Sequence, residues 1–268
     1  MPNSRLYKDF EIEQVSHKKL SKYVDLLNEC FPEFNVSYQY LEWLYFQNPL
    51  GNVVGFDALQ KGEIVAHYAC IPTRISGVNN LALLSLNTAT TANYRGRGLF
   101  KVLAESTYQI ATQLNFSAVV GVANGNSHLA FTRHLAFEHL GYLDLRFGLL
   151  ARSKLGSRVY TEDDLIWRCD SSLHKFRYHL ATMGRVNLSA KIFSGVKLRA
   201  MVFVSNESAT GSWPRKFGIT VDWRRGKKPL IFLPTKLKPS PLALIFRSLD
   251  GTPSSSLTSW SFPDFDAF

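Results

Sequence analysis

The sequence predicts a mixed α/β (α+β) fold, in which helices flank a mixed central β-sheet and a second, smaller α+β lobe follows. Segments with apolar residues at helical spacing alternate with apolar segments of strand length over the first 150 residues. One of these segments, FSAVVGVA at residues 116–123, is apolar apart from Ser117, which is typical of a buried parallel strand. The charge balance changes after residue 150, which indicates a second structural unit.

Length and charge set the domain organisation that we expect. The chain has 268 residues, which is long for one compact domain and sufficient for two small ones. Residues 1–150 contain twelve basic and twelve acidic side chains, so the net charge of +10 lies in residues 151–268. We therefore expect a first domain at residues 1–150 and a basic second lobe at residues 151–268. The surplus charge suits an anionic ligand, and a solvated basic surface without a specific partner is the alternative.

Spacing and turn residues predict the elements of the first 150 residues in chain order. The predicted helices are Lys18–Cys30, Tyr38–Phe46, Leu99–Leu114 and Ser127–Leu135. Runs of apolar residues bounded by turn residues predict strands, and Lys61-Gly62 is predicted as a hairpin turn between the first two. The predicted strands are Val53–Leu59, Glu63–Ile71, Leu81–Thr90, Phe116–Ala123 and Tyr142–Ala151.

The second part of the chain shows weaker patterns. Strand-like segments occur at Lys197–Val204, Pro229–Leu233 and Pro241–Phe246. The Ser/Thr-rich segment Thr252–Ser259 is predicted to be a loop. The segment Asp164–Leu180 resembles Tyr40–Phe56, because a tryptophan lies near the start of each and aromatic residues recur further along. This similarity indicates either a degenerate second copy of the first domain or a chance match.

The segment NYRGRGLFKVLAE (residues 93–105) places two arginines and two glycines immediately before a helix. A helix N-terminus exposes unpaired N–H groups, glycine lets the backbone approach an anion closely, and arginine adds charged donors. We therefore interpret Arg95–Gly98 as a phosphate cradle, with a simple connecting loop as the alternative. The Walker A motif is absent, and so are the third glycine and the later acidic residue of a dinucleotide-binding fold.

The same segment, from Arg95 to Leu99, fits the pattern Q/R-x-x-G-x-G/A and resembles the pyrophosphate-binding loop of the GNAT superfamily of N-acetyltransferases. Phe100 departs from the pattern, because the family usually has glycine or alanine there. SLNTATTANY upstream lies where the family has its fourth strand, and VANGNSHLAFTRHLAFEHLG downstream is similar to its motif N-x-x-A…Y-x-x-x-G-F. The resemblance covers about residues 8–150 and implies a GNAT-like sheet, splayed between its fourth and fifth strands.

The resemblance implies that acetyl-CoA is the co-substrate. In such proteins the pantetheine arm lies between the splayed strands and pairs with the backbone of the fourth strand. The pyrophosphate lies on the glycine loop, and residues after the fifth strand contribute further contacts. The implied cofactor-binding residues are Thr88, Ala89, Thr90, Arg95, Gly96, Arg97, Gly98, Leu99, Phe100, Asn124, Asn126 and Phe131.

The catalytic residues are less well defined by the sequence. Acetylation of an amine requires a neutral nitrogen, a polarised thioester carbonyl and protonation of the departing thiolate. Many relatives use a carboxylate on the fourth strand and a tyrosine in the last motif. Here Asn87 occupies the first place, and Phe131 or Thr132 occupies the second. The candidate catalytic residues are His67, Asn87 and His128, and the alternative proton donors to the thiolate are Thr132, His128 and Tyr142.

Three of the candidate side chains also have a purely structural interpretation. His67 lies in the apolar segment VAHYACI, so it is either a base that lines the splayed cleft or a hydrogen-bonded residue of the core. Trp43 and Tyr68 are candidate substrate-binding residues that would form an aromatic wall, and core packing is the alternative for each.

The segments WLYFQNPLG (residues 43–51) and FPDFDAF (residues 262–268) are similar to segments of two-domain bacterial acetyltransferase-like proteins, several of which are associated with surface polysaccharides. The resemblance therefore implies an N-acetyltransferase that acts on a primary amine, such as an amino sugar or a nucleotide-linked amino sugar. The departures at Asn87 and Phe131 favour an alternative, a catalytically silent binding or scaffold protein whose basic second lobe engages an anionic partner.

Other classes of function have no support in the sequence. The three cysteines show no metal-ligand spacing, so we expect no metal site. No apolar run approaches the 18 or so residues that span a bilayer, and the N-terminus has no apolar signal region, so we expect a cytoplasmic location. There is no aromatic-basic RNA motif, so nucleic acid is not an expected partner. The sequence does not indicate the oligomeric state.

Overall fold

The computed structural model describes residues 5–7, 9–149, 156–169, 176–181, 185–191, 197–204, 217–226 and 242–264. The helices are α1 (Leu20–Cys30), α2 (Tyr38–Phe46), α3 (Leu99–Gln113), α4 (His128–His134) and α5 (Glu162–Cys169). The strands are β1 (Arg5–Tyr7), β2 (Phe10–Gln14), β3 (Val54–Gln60), β4 (Glu63–Thr73), β5 (Ala82–Thr90), β6 (Ala118–Ala123), β7 (Glu138–Tyr142), β8 (Asp144–Leu149), β9 (Val159–Tyr160), β10 (Phe176–Ala181), β11 (Arg185–Lys191), β12 (Lys197–Val204), β13 (Phe217–Arg224), β14 (Ala243–Ser248) and β15 (Ser259–Ser261).

The first of two sheets has eight strands in the order β1-β2-β3-β4-β5-β6-β14-β7. Its neighbouring strands are antiparallel except β5 and β6, which are parallel as the sequence predicts. Helices α1 and α2 pack on one face of the sheet and α3 packs on the other, so the central strands are buried on both faces. The predicted mixed sheet flanked by helices is therefore confirmed.

Local sequence accounts for the elements around the start of this sheet. Helix α2 begins after Ser37, whose hydroxyl accepts a hydrogen bond from the N–H of Tyr40 at 3.1 Å. The hairpin between β3 and β4 turns at Lys61 and Gly62, which have φ values of 52° and 80°. Two left-handed residues are what a two-residue hairpin turn requires. The predicted turn at this place is confirmed.

The predicted strand at Tyr142–Ala151 is wrong in its bounds. Strand β7 ends at Tyr142 and β8 begins at Asp144, and the two strands belong to different sheets. β7 pairs with β14 in the first sheet, whereas β8 pairs with β13 in the second. The chain changes sheet at Leu143, whose N–H donates a hydrogen bond to the carbonyl of Leu242 at 2.9 Å.

Strand β14 lies in the first sheet although it comes from the second part of the chain. It runs antiparallel between β6 and β7, and its residues 243–246 are at most 1% exposed. The guanidinium of Arg247 lies 4.7 Å from the centre of the Tyr108 ring on α3 and also donates to the carbonyl of Leu135. The strand predicted near residues 241–246 therefore exists, but the division between the sheets does not follow the boundary predicted at residue 150.

The second sheet also contains an antiparallel meander followed by a parallel strand. Its order is β10-β11-β12-β13-β15, with β8 beside β13 and β9 beside β12. β10, β11 and β12 form an antiparallel meander, and β12 is parallel to β13. Helix α5 precedes this meander as α2 precedes β3. Trp43 of α2 and Trp167 of α5 stack with ring centres 4.7 Å apart, and each indole N–H donates to the other residue's carbonyl, at 3.0 and 3.2 Å.

Several strands have no counterpart among the predicted elements. These are β1, β2, β7, β9, β10, β11, β13 and β15. The predicted strand at Pro229–Leu233 lies outside the described residues. The predicted loop at Thr252–Ser259 contains a 3₁₀ turn at Ser254–Ser256, and β15 begins at its last residue. None of the described helices is long and apolar enough to cross a lipid bilayer.

Candidate active site

The parallel strands β5 and β6 diverge toward their carboxyl ends. They pair through three residues each, and the last pair is Ser85 with Gly121. β5 continues to Thr90, and β4 pairs with it as far as that residue. Within the described parts of the chain, no strand pairs with the other edge of β5 beyond Ser85. The opening between the two strands is the splay that the resemblance implies, and Thr88, Ala89 and Thr90 lie along it.

A β-bulge lies in β5 at the start of this opening. Asn87 and Thr88 stand opposite the single β4 residue Tyr68, because the register shifts between His67 and Ala69. Asn87 has a φ of 46°, a left-handed conformation that asparagine adopts more readily than most residues. Bulges re-aim side chains and are frequent beside active sites. The side chain of Asn87 is half-buried at this point.

The glycine loop follows directly after the opening. Gly96 and Gly98 have φ values of 74° and 80°, which side chains other than glycine rarely adopt. Gly98 immediately precedes the first residue of α3. Among the described residues, the N–H groups of residues 96–100 meet no hydrogen-bond acceptor. These donors and the positive end of the helix dipole fit an anionic group such as a pyrophosphate.

The two arginines of the loop brace it against the preceding strand and turn. Nε of Arg95 donates to the carbonyl of Thr90 at 3.1 Å, and a terminal N–H of Arg97 donates to the carbonyl of Asn93 at 3.1 Å. The guanidinium of Arg97 also lies 5.1 Å from the centre of the Tyr94 ring. A guanidinium has five N–H donors, so these bonds leave further donors on each arginine for an anion.

Two of the departures from the GNAT pattern, Phe100 and Phe131, contact each other. The rings of Phe100 and Phe131 meet edge to face with centres 5.0 Å apart, and Phe100 makes a similar contact with Tyr68 at 5.8 Å. Phe131 is 4% exposed and has no group that can donate a proton. The bulky Phe100 in the loop therefore packs against the Phe131 ring, and a contact of Phe131 with the cofactor stays a prediction.

The asparagines after β6 have different environments. The side-chain oxygen of Asn124 accepts hydrogen bonds from the N–H groups of Asn126 and Ser127, both at 3.1 Å, and from the Ser127 hydroxyl. Asn124 thus organises the turn before α4, whereas the exposed side chain of Asn126 has no such role. Their predicted contacts with the cofactor stay predictions.

The candidate proton donors near α4 lie in a separate group. The ring of His128 packs against the ring of His139 at 4.6 Å and lies 6.3 Å from that of Tyr142. Thr132 donates its hydroxyl proton to the carbonyl of His128 at 3.0 Å. Burial and the neighbouring His128 lower the pKa of His139. The structure does not bring this group into contact with His67 or Asn87.

A buried chain of hydrogen bonds ends at Asn87. The Nδ1 atom of His67 lies 2.7 Å from Oδ1 of Asp57, and its Nε2 atom lies 2.8 Å from the hydroxyl of Tyr45. Nδ2 of Asn87 donates to the same hydroxyl at 3.0 Å. The other oxygen of Asp57 accepts from Tyr23 at 2.8 Å and from the ammonium of Lys19. The structure thus brings two candidate catalytic residues, His67 and Asn87, into one network.

Burial favours the structural alternative for three of the candidate residues. His67 is buried with both ring nitrogens in hydrogen bonds, so it does not line the cleft as a free base. Trp43 is 3% exposed and stacks on Trp167, and Tyr68 is fully buried with its hydroxyl between those of Ser85 and Tyr108. The burial of Trp43 and Tyr68 fits the structural alternative and argues against contact with a substrate.

The pKa of Asp57 reflects opposing effects of burial and of its neighbours in the network. Burial opposes ionisation of its carboxyl group, but the hydrogen bond from His67 and the charge of Lys19 outweigh burial and lower its pKa. Such a carboxylate stabilises the folded state above its unfolded pKa near 4, and this contribution is lost as the pH falls through the lower folded pKa.

We expect Asp57→Asn to lower the free energy of unfolding by about 3 kcal/mol at pH 7.5, because the change removes one partner from a buried ionic group. The difference between wild type and variant should shrink as the pH falls below about 4. Urea unfolding at pH 7.5, 5 and 3.5 measures both effects. Glu63→Gln is the control, since its side chain is 76% exposed beside Lys22 and should change stability by less than about 0.5 kcal/mol. A difference for Asp57→Asn that does not depend on pH would contradict the ionised state.

The fold and site together define a class of protein. A glycine loop with unpaired N–H groups stands at a helix N-terminus, beside two parallel strands that diverge. This geometry accepts an elongated ligand with an anionic end, as the transfer of an acyl group from a nucleotide-bearing thioester requires.

Comparison with known proteins agrees with this class. Residues 11–140 match the family model described as an acetyltransferase (GNAT) domain. Among solved structures, a probable N-acyltransferase from Enterococcus faecalis is 10% identical with a TM-score of 0.54, over 90% of this chain and 73% of that one. A GNAT family N-acetyltransferase from Escherichia coli, solved in complex with CoA, is 19% identical with a TM-score of 0.42, over 50% and 71%. No curated protein matches the sequence.

Proposed function

We propose that the protein transfers the acetyl group of acetyl-CoA to a primary amine. The observation that carries this proposal is the loop Arg95–Gly98, which stands between the open edge of β5 and the N-terminus of α3. Its glycines hold left-handed backbone conformations, and a Cβ atom at Gly96 would meet nothing within 4 Å. The loop therefore has room for phosphate oxygens against its N–H groups.

Different residues of the opening would bind the two ends of acetyl-CoA. The pyrophosphate would lie on residues 96–100, with charge from Arg95 and Arg97. The pantetheine arm would pair with the open edge of β5 at Thr88–Thr90, where backbone groups face no neighbouring strand among the described residues. This pairing places the thioester near the bulge at Asn87, where the two strands begin to separate.

The transfer itself needs a neutral amine at that bulge. The nitrogen lone pair forms the new bond to the acetyl carbon, and the carbon–sulfur bond breaks with its electron pair on sulfur. The nitrogen loses one proton to solvent. The sulfur takes one from solvent, or from the alternative donors Thr132, His128 or Tyr142, because Phe131 offers none. Acceptor amine and acetyl thioester thus give an amide and a thiol.

An amino sugar or a nucleotide-linked amino sugar is the acceptor we propose, with a role in surface polysaccharide synthesis. Support for this finer assignment comes from WLYFQNPLG and FPDFDAF, which resemble segments of proteins associated with such polysaccharides. The net charge of +10 in residues 151–268 suits the phosphates of a nucleotide-linked acceptor or another anionic ligand.

We assign the second sheet to a degenerate repeat of the first that binds no CoA. The meander β10–β12, the parallel neighbour β13 and the reciprocal Trp43–Trp167 contact support a repeat. β12 and β13 also separate, but β9 pairs with the end of β12 and β15 with the end of β13. The N–H of Thr258 donates to the carbonyl of Gly156 at 2.7 Å across this place. The chain itself fills the space that is open in the first sheet.

Thermal unfolding with excess acetyl-CoA tests the proposed function. A ligand at 100 times its Kd adds about 2.7 kcal/mol, which for a chain of this size raises the Tm by roughly 5 °C or more. The control ligand is the acetyl thioester of N-acetylcysteamine, which lacks the nucleotide and pyrophosphate and should give no shift. Release of thiol in the presence of glucosamine, a nucleotide-linked amino sugar and simple alkylamines then identifies the acceptor. No shift at millimolar acetyl-CoA would favour the silent binding protein instead.

A further inference from the structure

We infer that the side-chain carbonyl oxygen of Asn87 accepts a hydrogen bond from an N–H group of the acceptor amine. A hydrogen-bonded chain through Asp57, His67 and Tyr45 fixes the orientation of the Asn87 side-chain amide. The inference rests on the acetyl transfer proposed above and specifies where the amine lies in that site. Asn87 is the direct contact with the substrate, whereas Asp57, His67 and Tyr45 are positioning residues.

The location of Asn87 supports a contact with the amine. It lies two residues beyond Ser85, the last residue of β5 that pairs with β6. The bulge and the φ of 46° turn its side chain toward the face that carries α1 and α2, where Tyr45 lies. Asn87 is half-buried, whereas Tyr45 and His67 are buried behind it. Asn87 is therefore the member of the chain that a substrate can reach.

The proton positions along this hydrogen-bonded chain can be assigned in order, starting at Asp57. An ionised Asp57 only accepts hydrogen bonds, so the proton of His67 lies on Nδ1, which donates to Asp57. The Nε2 atom then has no proton and accepts the hydroxyl proton of Tyr45. That hydroxyl has no second proton, so its oxygen accepts from Nδ2 of Asn87. The amide carbonyl of Asn87 consequently points away from Tyr45.

Two further observations support this orientation of the Asn87 side-chain amide. Tyr23 and Lys19 also donate to Asp57, so its carboxylate has partners on both oxygens. Burial raises the pKa of the Tyr45 hydroxyl well above its usual value, so Tyr45 keeps its proton and stays a donor. An amide is not a base, and the function of Asn87 is to hold one N–H of the amine so that the nitrogen lone pair faces the acetyl carbon.

Nitrogen-15 NMR tests this chain without any substrate. In the wild-type protein at pH 8 we expect His67 to be protonated on Nδ1 and unprotonated on Nε2. The side-chain NH₂ protons of Asn87 should show nuclear Overhauser contacts with the Tyr45 ring, because the amide nitrogen lies 3.0 Å from the Tyr45 hydroxyl. A tautomer protonated on Nε2, or an Asn87 NH₂ group without these contacts, would overturn the inference, and neither result depends on a variant that folds.

Two matched tyrosine variants separate positioning from stability. Tyr45→Phe and Tyr23→Phe each remove one buried hydroxyl from the same network, so similar losses of stability are expected. Only Tyr45→Phe removes the hydroxyl that accepts from Asn87, so only this variant should raise the KM for the acceptor. Equal effects of both variants on this KM would show that the network has a structural role alone.

Asn87→Ala tests the contact itself with the best acceptor from the amine panel. We expect the KM for the amine to rise about tenfold, as the loss of one hydrogen bond predicts, while the shift in Tm with acetyl-CoA is unchanged. An unchanged KM would overturn the contact. Failure of the proposed function looks different, because the wild-type protein would then show no shift with acetyl-CoA or no acetylation of any amine.

Discussion

The Gly98→Glu variant is expected to fold and to lose affinity for acetyl-CoA by at least about 100-fold. Gly98 has a φ of 80° directly before α3, where N–H donors and the helix dipole fit a pyrophosphate. A carboxylate there places like charge close to the phosphates, and two unit charges 4 Å apart repel by about 4 kcal/mol near a protein surface. The expected loss follows from repulsion even if solvent weakens it considerably.

Two control variants show whether the loss of affinity needs both the carboxylate and its position at Gly98. Gly62→Glu introduces the same residue at the same φ of 80°, in the hairpin turn between β3 and β4, where a Cβ atom meets nothing within 4 Å. Gly98→Ala adds the Cβ atom alone, which lies 3.2 Å from the Tyr7 hydroxyl. Titration calorimetry with acetyl-CoA should show tight binding for Gly62→Glu and intermediate binding for Gly98→Ala. Wild-type affinity in Gly98→Glu would show that the pyrophosphate does not lie on this loop.

A fragment of residues 1–150 is expected not to fold, which is the second large effect. It lacks β14, whose residues 243–246 are buried between β6 and β7. Full burial of one large aliphatic or aromatic side chain contributes about 1.5–3 kcal/mol, and three such residues approach the total stability of a typical domain. Without β14, the backbone N–H and C=O groups of β6 and β7 that pair with it also lose their hydrogen-bond partners. Circular dichroism should show no cooperative thermal transition.

The variant Ile245→Asp of the full-length chain tests the contribution of β14 separately from that of the other residues after position 150. It places a charge in the first sheet and leaves the second sheet intact, so we expect severe loss of stability. Ile166→Asp is the control, because it makes the same substitution on α5, where Ile166 is 48% exposed. A cooperative transition for the fragment would show instead that residues 1–150 form an independent domain.

Turn chemistry and periodicity predicted much of the first sheet, but not its register. The turn at Lys61-Gly62 is confirmed, and a regular hairpin around it would pair Asp57 with Ala66. The structure pairs Asp57 with His67 instead, because the register shifts by one residue between Ala58 and Leu59. That single shift creates the buried Asp57–His67 hydrogen bond. A histidine in an apolar strand was the only available signal for this network, and its partners were not evident from the sequence.

The tryptophans show a similar limit for the second part of the chain. The similarity between Tyr40–Phe56 and Asp164–Leu180 indicated a repeat or chance, and no pattern linked Trp43 to Trp167 in space. The structure stacks the two rings and exchanges two hydrogen bonds between them. Such a contact depends on how two helices distant in sequence meet, which local periodicity does not encode.

The sequence by itself determined the left-handed glycine loop before α3, the helices and most strands of the first 150 residues. Those features depend on interactions within a few residues, such as the φ of glycine, the dipole of the next helix and the alternation of side chains. Only the tertiary structure decided that β14 completes the first sheet and that Tyr45 and Asp57 stand behind Asn87. These contacts join residues far apart in the chain, and burial in a shared core, rather than local preference, selects them.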